Sequence, residues 1–333
     1  MGAELPNSLR EWKDKVFAID AAGFEAAALD AFRLQYQYNM LYGEFARAVG
    51  RTPENVERWS DIPFLPISFF KTRQVTTGSF EPELVFESSG TTGMVNSRHF
   101  VKDRDLYVQS FLSAFQLFYG SVEQYCVLAL LPSYLERQNS SLVLMADELI
   151  KRSGHQLSGF YLYDHSRLEQ TLQQLEAMRQ PTLLLGVSFA LLDFAEAHPM
   201  QLQHTIVMET GGMKGRREEW TREAVHDFLK QRLGLPAVHS EYGMTELLSQ
   251  AYSKGNGIFY CPPWMRIHLR EEDDPLQVAS RPAGIINVTD LVNIDSCCFI
   301  ATEDAGRIHP GGGFEITGRT DHSDLRGCSL MVS

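Results

Sequence analysis

Three short segments carry side chains whose types and spacing suit phosphate and nucleotide chemistry. The first is Glu87-Ser-Ser-Gly-Thr-Thr-Gly93, directly after the apolar run Leu84-Val-Phe. Glycines and hydroxyls packed this densely make a poor core and a poor helix. They make a loop of backbone N–H and side-chain O–H donors, the groups that phosphate oxygens accept. A Walker loop would end in Gly-Lys-Ser/Thr, and this one does not. On this segment alone, a polar turn without a ligand explains the residues equally well. The second is His239-Ser-Glu-Tyr-Gly-Met-Thr-Glu246. Gly243 lets the backbone turn, Tyr242 offers a flat ring to a base, and Glu246 offers a hard oxygen to Mg²⁺. Taken alone, it reads as a strand-to-helix turn with a capping carboxylate. The third is Glu303-Asp-Ala-Gly-Arg307, followed by Gly318-Arg-Thr-Asp321. A carboxylate here could hold ribose hydroxyls and an arginine could pair with anionic oxygens, although charged hairpin turns look the same.

The elements that must position these segments follow from periodicity. Residues 9 to 50 read as helix, and Pro53, Pro63 and Pro66 then break the pattern. From Val75, short apolar runs alternate with helical stretches. The runs are Leu84–Phe86, Tyr125–Leu131, Thr182–Val187, His204–Met208 and Ala237–Ser240; the helical stretches are 103–119, 140–151, 168–179 and 218–233. Continuous apolar strands between helices predict buried, largely parallel sheets. From Pro262 the helical pattern stops, and runs such as Ile285–Thr289 and Phe314–Thr317 predict a smaller β-rich lobe. The expected fold is α/β: layered, mostly parallel sheets with a C-terminal β lobe. Its parts would be a helical segment over 1–75, a nucleotide- and acyl-binding core over 76–260, and a β-rich lobe with a hinge-like tail over 261–333.

Together and in this order, the segments resemble the adenylate-forming enzymes, the acyl-CoA synthetases and their relatives. Ser88-Ser-Gly-Thr-Thr-Gly is similar to that superfamily's phosphate loop, and Tyr242-Gly-Met-Thr-Glu to its Tyr-Gly-x-Thr-Glu motif. Glu209-Thr-Gly-Gly212 falls where the family has an adenine-contacting turn, Asp304 matches its ribose aspartate, and Gly318-Arg319-x-Asp321 its hinge. The match runs over about residues 80 to 327. There are two departures. Met94-Val-Asn-Ser-Arg-His follows the loop where Pro-Lys is usual, so Arg98 could replace that lysine. The chain also stops 12 residues after Asp321 with Lys254 as its last lysine. It is therefore expected to lack the mobile C-terminal domain and the lysine that domain donates, leaving Lys214 or Arg98 to supply the cation.

A short branch, the acyl-protein synthetase (LuxE) family near the phenylacetate-CoA ligases, is similar in Phe64-Leu-Pro-Ile-Ser-Phe-Phe-Lys71, Pro132-Ser-Tyr-Leu-Glu-Arg137 and Arg326-Gly-Cys-Ser-Leu330. This resemblance implies that a fatty or other carboxylic acid becomes acyl-AMP at the expense of ATP, with Mg²⁺, and moves to Cys328 as a thioester. Arg326 beside it would favour the thiolate. It also implies that Ser88, Ser89, Gly90, Thr91, Thr92 and Gly93 hold phosphate, and that Gly211, Gly212, Tyr242, Gly243 and Thr245 line the adenylate. Asp304 and Arg319 would then hold the ribose, and Glu246 the metal. Tyr134 and Gly186–Phe189 are candidates for the acyl channel. The final acceptor could be a reductase, coenzyme A or a biosynthetic partner. A rival reading takes Gly186-Val-Ser188-Phe-Ala as a near match to a nucleophile elbow, making Ser188 the serine of a hydrolase or thioesterase. A third is a nucleotide-binding regulator without catalysis.

Composition bounds these readings. The chain has 333 residues, 44% hydrophobic and 22% charged, with Lys plus Arg 30 against Asp plus Glu 42. That is a globular composition, and a net charge of −12 argues against a nucleic-acid partner. The five cysteines, Cys126, Cys261, Cys297, Cys298 and Cys328, include no C-x-x-C, which speaks against zinc and a disulfide framework. The N-terminus has no signal-peptide pattern, no run is long enough to span a bilayer, and a cytoplasmic location is expected.

Overall fold

A computed structural model describes residues 7–88, 95–132, 136–211, 220–272, 274, 276–279 and 281–320. The chain opens with α1 (Asn7–Lys15), α2 (Phe24–Tyr38) and α3 (Met40–Ala48), followed by β1 (Leu65–Pro66) and α4 (Phe69–Thr72). A two-stranded ribbon, β2 (Leu84–Glu87) and β3 (Arg98–Val101), leads into α5 (Arg104–Tyr119). The central alternation is β4 (Cys126–Leu130), α6 (Ser141–Ser153), β5 (Gly159–Phe160), α7 (His165–Ala177), β6 (Thr182–Gly186), α8 (Ser188–Ala197), β7 (Thr205–Glu209), α9 (Arg222–Leu233) and β8 (His239–Tyr242). Among the described residues, only strands follow: β9 (Ala251–Ser253), β10 (Met265–Arg270), β11 (Ala283–Asp290), β12 (Phe299–Ile308) and β13 (Phe314–Arg319).

The central sheet has the order β5-β4-β6-β7-β8-β9, parallel except for β9. Its strands are buried on both faces, which is why β4 and β6 read as unbroken apolar runs rather than alternating ones. Alternation survives in where the side chains go. Val127, Ala129, Leu183 and Leu185 join one core, whereas Cys126, Leu128, Leu130 and Leu184 join the other, with α7, α8 and α9. The helices carry their own stops. Asp103, Ser140, Asp164 and Thr221 accept N-cap hydrogen bonds, and Gly154 and Gly234 close α6 and α9 in the left-handed conformation.

The second sheet has the order β1-β12-β11-β10, with β13 also on β12; β1 runs parallel to β12 and the other pairs are antiparallel. The N-terminal segment is therefore stitched to the C-terminal lobe. Leu65 pairs with Ile300, Gln35 Oε1 accepts from the Cys298 N–H at 2.9 Å, and the Asn39 amide donates to Ser296 O at 2.7 Å. Residues 9 to 50 are not one helix: the chain breaks between α1 and α2, where Ile19 is extended, and again at Asn39. Asn39 is fully buried in an extended conformation, and its side chain accepts from Tyr42 N, ending α2 and capping α3. The last central strand begins at His239, two residues later than its apolar run suggests. Among the described residues, no helix is long and apolar enough to cross a membrane.

Candidate active site

Parallel strands leave their C-terminal ends as the place where loops can converge on a ligand. Here the residues just beyond β4 (Leu131, Pro132), β6 (Val187), β7 (Thr210, Gly211) and β8 (Gly243 to Glu246) line one cleft of about 670 Å³ with Asp304 and Arg319 of the β lobe. That volume suits a nucleotide-sized ligand. Of the residues singled out in the sequence, it gathers Ser88, Gly211, Tyr242, Gly243, Thr245 and Glu246 as well as Asp304 and Arg319. Ser89, Gly90, Thr91, Thr92, Gly93, Tyr134, Gly212, Lys214, Asp321 and Cys328 lie outside the described residues.

Tyr242, Asp304 and Arg319 form one polar group in the cleft lining. Tyr242 donates its hydroxyl to Asp304 Oδ2 at 2.9 Å, and Arg319 Nε stands 3.7 Å from Oδ1. The Tyr242 ring is held by edge contacts with Phe259 and Phe314. Burial raises the Asp304 carboxyl, against the pull of the Arg319 charge and the Tyr242 hydrogen bond. The carboxylate is half-buried and could accept further hydrogen bonds from ribose hydroxyls.

Ser88 and Glu246 also line the cleft. The Ser88 hydroxyl accepts from Ser97 N at 2.9 Å, and Ser88 N donates to Ser97 O at 3.1 Å, closing the ribbon where the hydroxyl-rich loop departs. Glu246 is buried; burial raises its carboxyl, while the Ser97 hydrogen bond and the Arg319 and Lys71 charges oppose that rise. A desolvated carboxylate facing the cleft fits one ligand position of Mg²⁺, which commonly takes one or two carboxylates and completes its shell with phosphate oxygens and water. The loop itself is pinned from behind. The buried His99, whose ring burial pushes down to about 4, hydrogen-bonds Thr245 O at 2.9 Å through Nδ1. Asn293 Nδ2 donates to Glu246 O at 2.8 Å, and Asp290 accepts from Leu248 N, Ser249 N and the Ser249 hydroxyl.

Gly211 takes φ +73°, where a side chain would be strained, and is clamped by Glu209. Glu209 Oε2 accepts from Gly211 N at 2.7 Å and from the Ser188 hydroxyl at 3.0 Å; Arg222 Nε and His226 Nε2 each approach Oε1 to 3.6 Å. Burial alone would raise Glu209, yet His226, Arg222 and the Gly211 N–H bring it down to about 2. The stability this clamp supplies is expected in full above the unfolded value of 4.5 and lost as pH falls toward 2. Glu209→Gln should abolish that rise between pH 2 and 4.5 in urea-midpoint measurements; parallel profiles for the two proteins would refute the clamp.

The same geometry removes the support for a serine hydrolase. Ser188 hydrogen-bonds a carboxylate directly and the histidine lies beyond that carboxylate, whereas a triad needs the imidazole between serine and acid. Gly186 instead allows close packing: a β-carbon there would sit 3.0 Å from Leu130 Cβ. Of Gly186–Phe189, Val187 lines the cleft. Arg98 does not stand where the sequence reading expected it. It is exposed on β3, with its guanidinium 5.7 Å from the Phe100 ring centroid, and is not part of the cleft lining. Among the described residues, the cations that do line the cleft are Lys71, Arg137 and Arg319. Lys71 and Arg137 lie in segments the LuxE resemblance marked, but no spacing rule assigned them a role. Glu241, given no role within the second segment, and Gln250, which no sequence signal marked, also line it.

The sheet and its cleft have the fold of the adenylate-forming acyl-CoA ligases. A 2-hydroxyisobutyryl-CoA ligase in its postadenylation state superposes with a TM-score of 0.62 at 12% identity, over 92% of this chain and 70% of that one. ATP-bound MatB from Rhodopseudomonas palustris gives 0.51 at 17% identity, over 72% of this chain and 49% of that one. In sequence, a 67-residue stretch is 40% identical to the long-chain-fatty-acid–luciferin-component ligase of Photorhabdus luminescens, covering 20% of this chain. The match spans 57% of that curated relative's length. No protein-family model matches the chain. The resemblance to the LuxE branch therefore stands on a partial sequence match, and the fold on the structures.

Proposed function

We propose that this protein activates a carboxylic acid with ATP and passes the acyl group to a cysteine thiol. In the first step a carboxylate oxygen attacks the α-phosphorus; the new O–P bond gives acyl-AMP as the bond to pyrophosphate breaks. In the second, the Cys328 thiolate attacks the acyl carbon; a C–S bond forms, the C–O bond to AMP breaks, and a thioester remains. The observation that carries this reading is the convergence of Ser88, Tyr242, Thr245, Glu246, Asp304 and Arg319 on one cleft. Ser88 to Gly93 hold phosphate, the 211–212 turn and Tyr242 flank adenine, and Asp304 grips ribose. Glu246 would hold Mg²⁺, which when bound offsets phosphate charge. Lys71, whose charge is felt at Glu246, supplies the cation that steadies charge building on the α-phosphate. Lys214 is the second candidate for that role. The acid is a fatty acid in the reading the Photorhabdus relative supports, the site of action is the cytoplasm, and a reductase or coenzyme A could take the acyl group onward.

The test separates the steps. ATP–pyrophosphate exchange across a panel of carboxylic acids should reveal adenylation. Cys328→Ser should still exchange but no longer retain a hydroxylamine-labile label from labelled acid and ATP. A thioester label kept by the mutant would move the carrier to another cysteine. Among the other four, Cys126, Cys297 and Cys298 are buried, and burial raises all four thiols above their ordinary range.

A further inference from the structure

We propose that Asn293 and Gln35, both outside the cleft, are positioning residues that hold the Glu246 carboxylate in place for the metal that accompanies ATP. The inference rests on the Mg²⁺ reading of Glu246 and deepens it.

Residues 243 to 248 form neither helix nor strand. A buried main chain of this kind takes its partners from side chains, and where those donors stand decides which way each peptide faces. The Glu246 side chain lines the cleft, while its carbonyl accepts from Asn293 Nδ2 at 2.8 Å. The preceding carbonyl, that of Thr245, is held by His99 Nδ1 at 2.9 Å, and Asn293 Oδ1 stands 3.0 Å from His99 Nε2. Asn293 is fully buried and is not part of the cleft lining. Its amide therefore acts on the site through the 245–246 backbone: a turn of that peptide breaks the bond and swings the carboxylate with it.

Asn293 is itself set from the far side. Residues 291 to 298 are buried throughout and contain no helix or strand. Gln35 of α2, also fully buried, bridges this segment with one amide. Its Nε2 donates to Ile294 O at 2.9 Å, with Asn293 O at 3.3 Å and Ser296 O at 3.2 Å, and its Oε1 accepts from Cys298 N at 2.9 Å. The Asn39 amide and the Thr77 hydroxyl donate to Ser296 O as well, at 2.7 and 3.0 Å. A continuous path of buried hydrogen bonds thus runs from α2 through residues 293–298 to the carbonyl of Glu246. Groups packed this closely shift together, and the outer partners of a metal-binding carboxylate affect metal affinity without touching the metal.

The experiment measures ATP binding to the full chain by calorimetry, once with Mn²⁺ in place of Mg²⁺ and once in EDTA. The wild type should bind ATP more tightly with the metal. Asn293→Leu keeps side-chain volume and removes the bond to Glu246; it should forfeit at least about tenfold of that gain while affinity in EDTA stays within about twofold. Gln35→Met, one step further off, should forfeit at least about threefold. In a double-mutant cycle, Asn293→Leu should cost nothing further on top of Glu246→Gln, because it acts through that carboxylate. Equal losses with Mn²⁺ and in EDTA, or a cost that adds to that of Glu246→Gln, would make these residues merely structural and overturn the proposal; so would an undiminished gain in either variant. If Asn293→Leu does not fold, Asn293→Ser, whose hydroxyl is too short to reach Glu246 O, is read in its place. A wild type that binds ATP equally well with and without metal removes the Mg²⁺ reading, and this inference with it.

Discussion

Glu246→Gln should lower adenylate formation by about 10²-fold or more while leaving the fold intact. The substitution keeps the side chain's volume and a group that the Ser97 hydroxyl can bond, so the buried loop has no reason to rearrange. What it removes is the negative oxygen facing the cleft. Because burial raises this carboxyl, its charge is lost at a higher pH than for an exposed glutamate. Exchange by the wild type should therefore decline on mild acidification, and the residual rate of the variant should lack that limb. Pyrophosphate-exchange kinetics across pH, with circular dichroism to verify folding, decide the matter. Unchanged kinetics in a folded variant would end the metal assignment.

Removal of the Lys71 charge is the second large effect. Lys71→Ala should slow adenylation by about 10²-fold while weakening ATP binding much less, because charge that builds in the transition state rewards a cation more than the ground state does. Lys71→Arg should recover part of the rate, since the charge remains but its shape and reach differ. Single-turnover rates set against nucleotide affinity give the split. If binding and rate fall together, Lys71 merely holds ATP; if Lys214→Ala shows the rate loss instead, the assignment moves there.

The contrast between Glu246 and Lys71 shows what the sequence could reveal. Tyr242, Glu246 and Asp304 were legible because each sits in a local pattern: a turn after a strand, or a carboxylate on a hairpin. The strands β4, β6 and β7 were legible because burial on both faces leaves an unbroken apolar run between helices. Lys71 stood in a noted segment, yet its place in the cleft depends on β1 pairing with β12, more than two hundred residues away in the chain, and no local rule reports such a pairing. Asn39 was hidden for a related reason. Its partners are Ser296 and Tyr42, and only the first explains why a polar residue is buried where helix was expected. Gln250 belongs to no pattern, and Glu241 had no role within its segment; both line the cleft all the same.

The β1–β12 pairing also bears on how the chain is made. During synthesis, the helices that precede residue 65 emerge with Phe24, Phe32 and Tyr42 prepared for burial, but much of what covers them, Cys298 and Phe299 included, is made only near the end. Contacts of such long sequence separation slow folding, because a large loop must close before they form. The parallel central sheet can assemble meanwhile from β4 to β8. The N-terminal segment must wait with an apolar face uncovered, a state prone to aggregation and suited to chaperone binding. Lys71 reaches the cleft only when that wait ends, so a residue made more than two hundred residues before the partner of its neighbouring strand is among the last to take its place at the site.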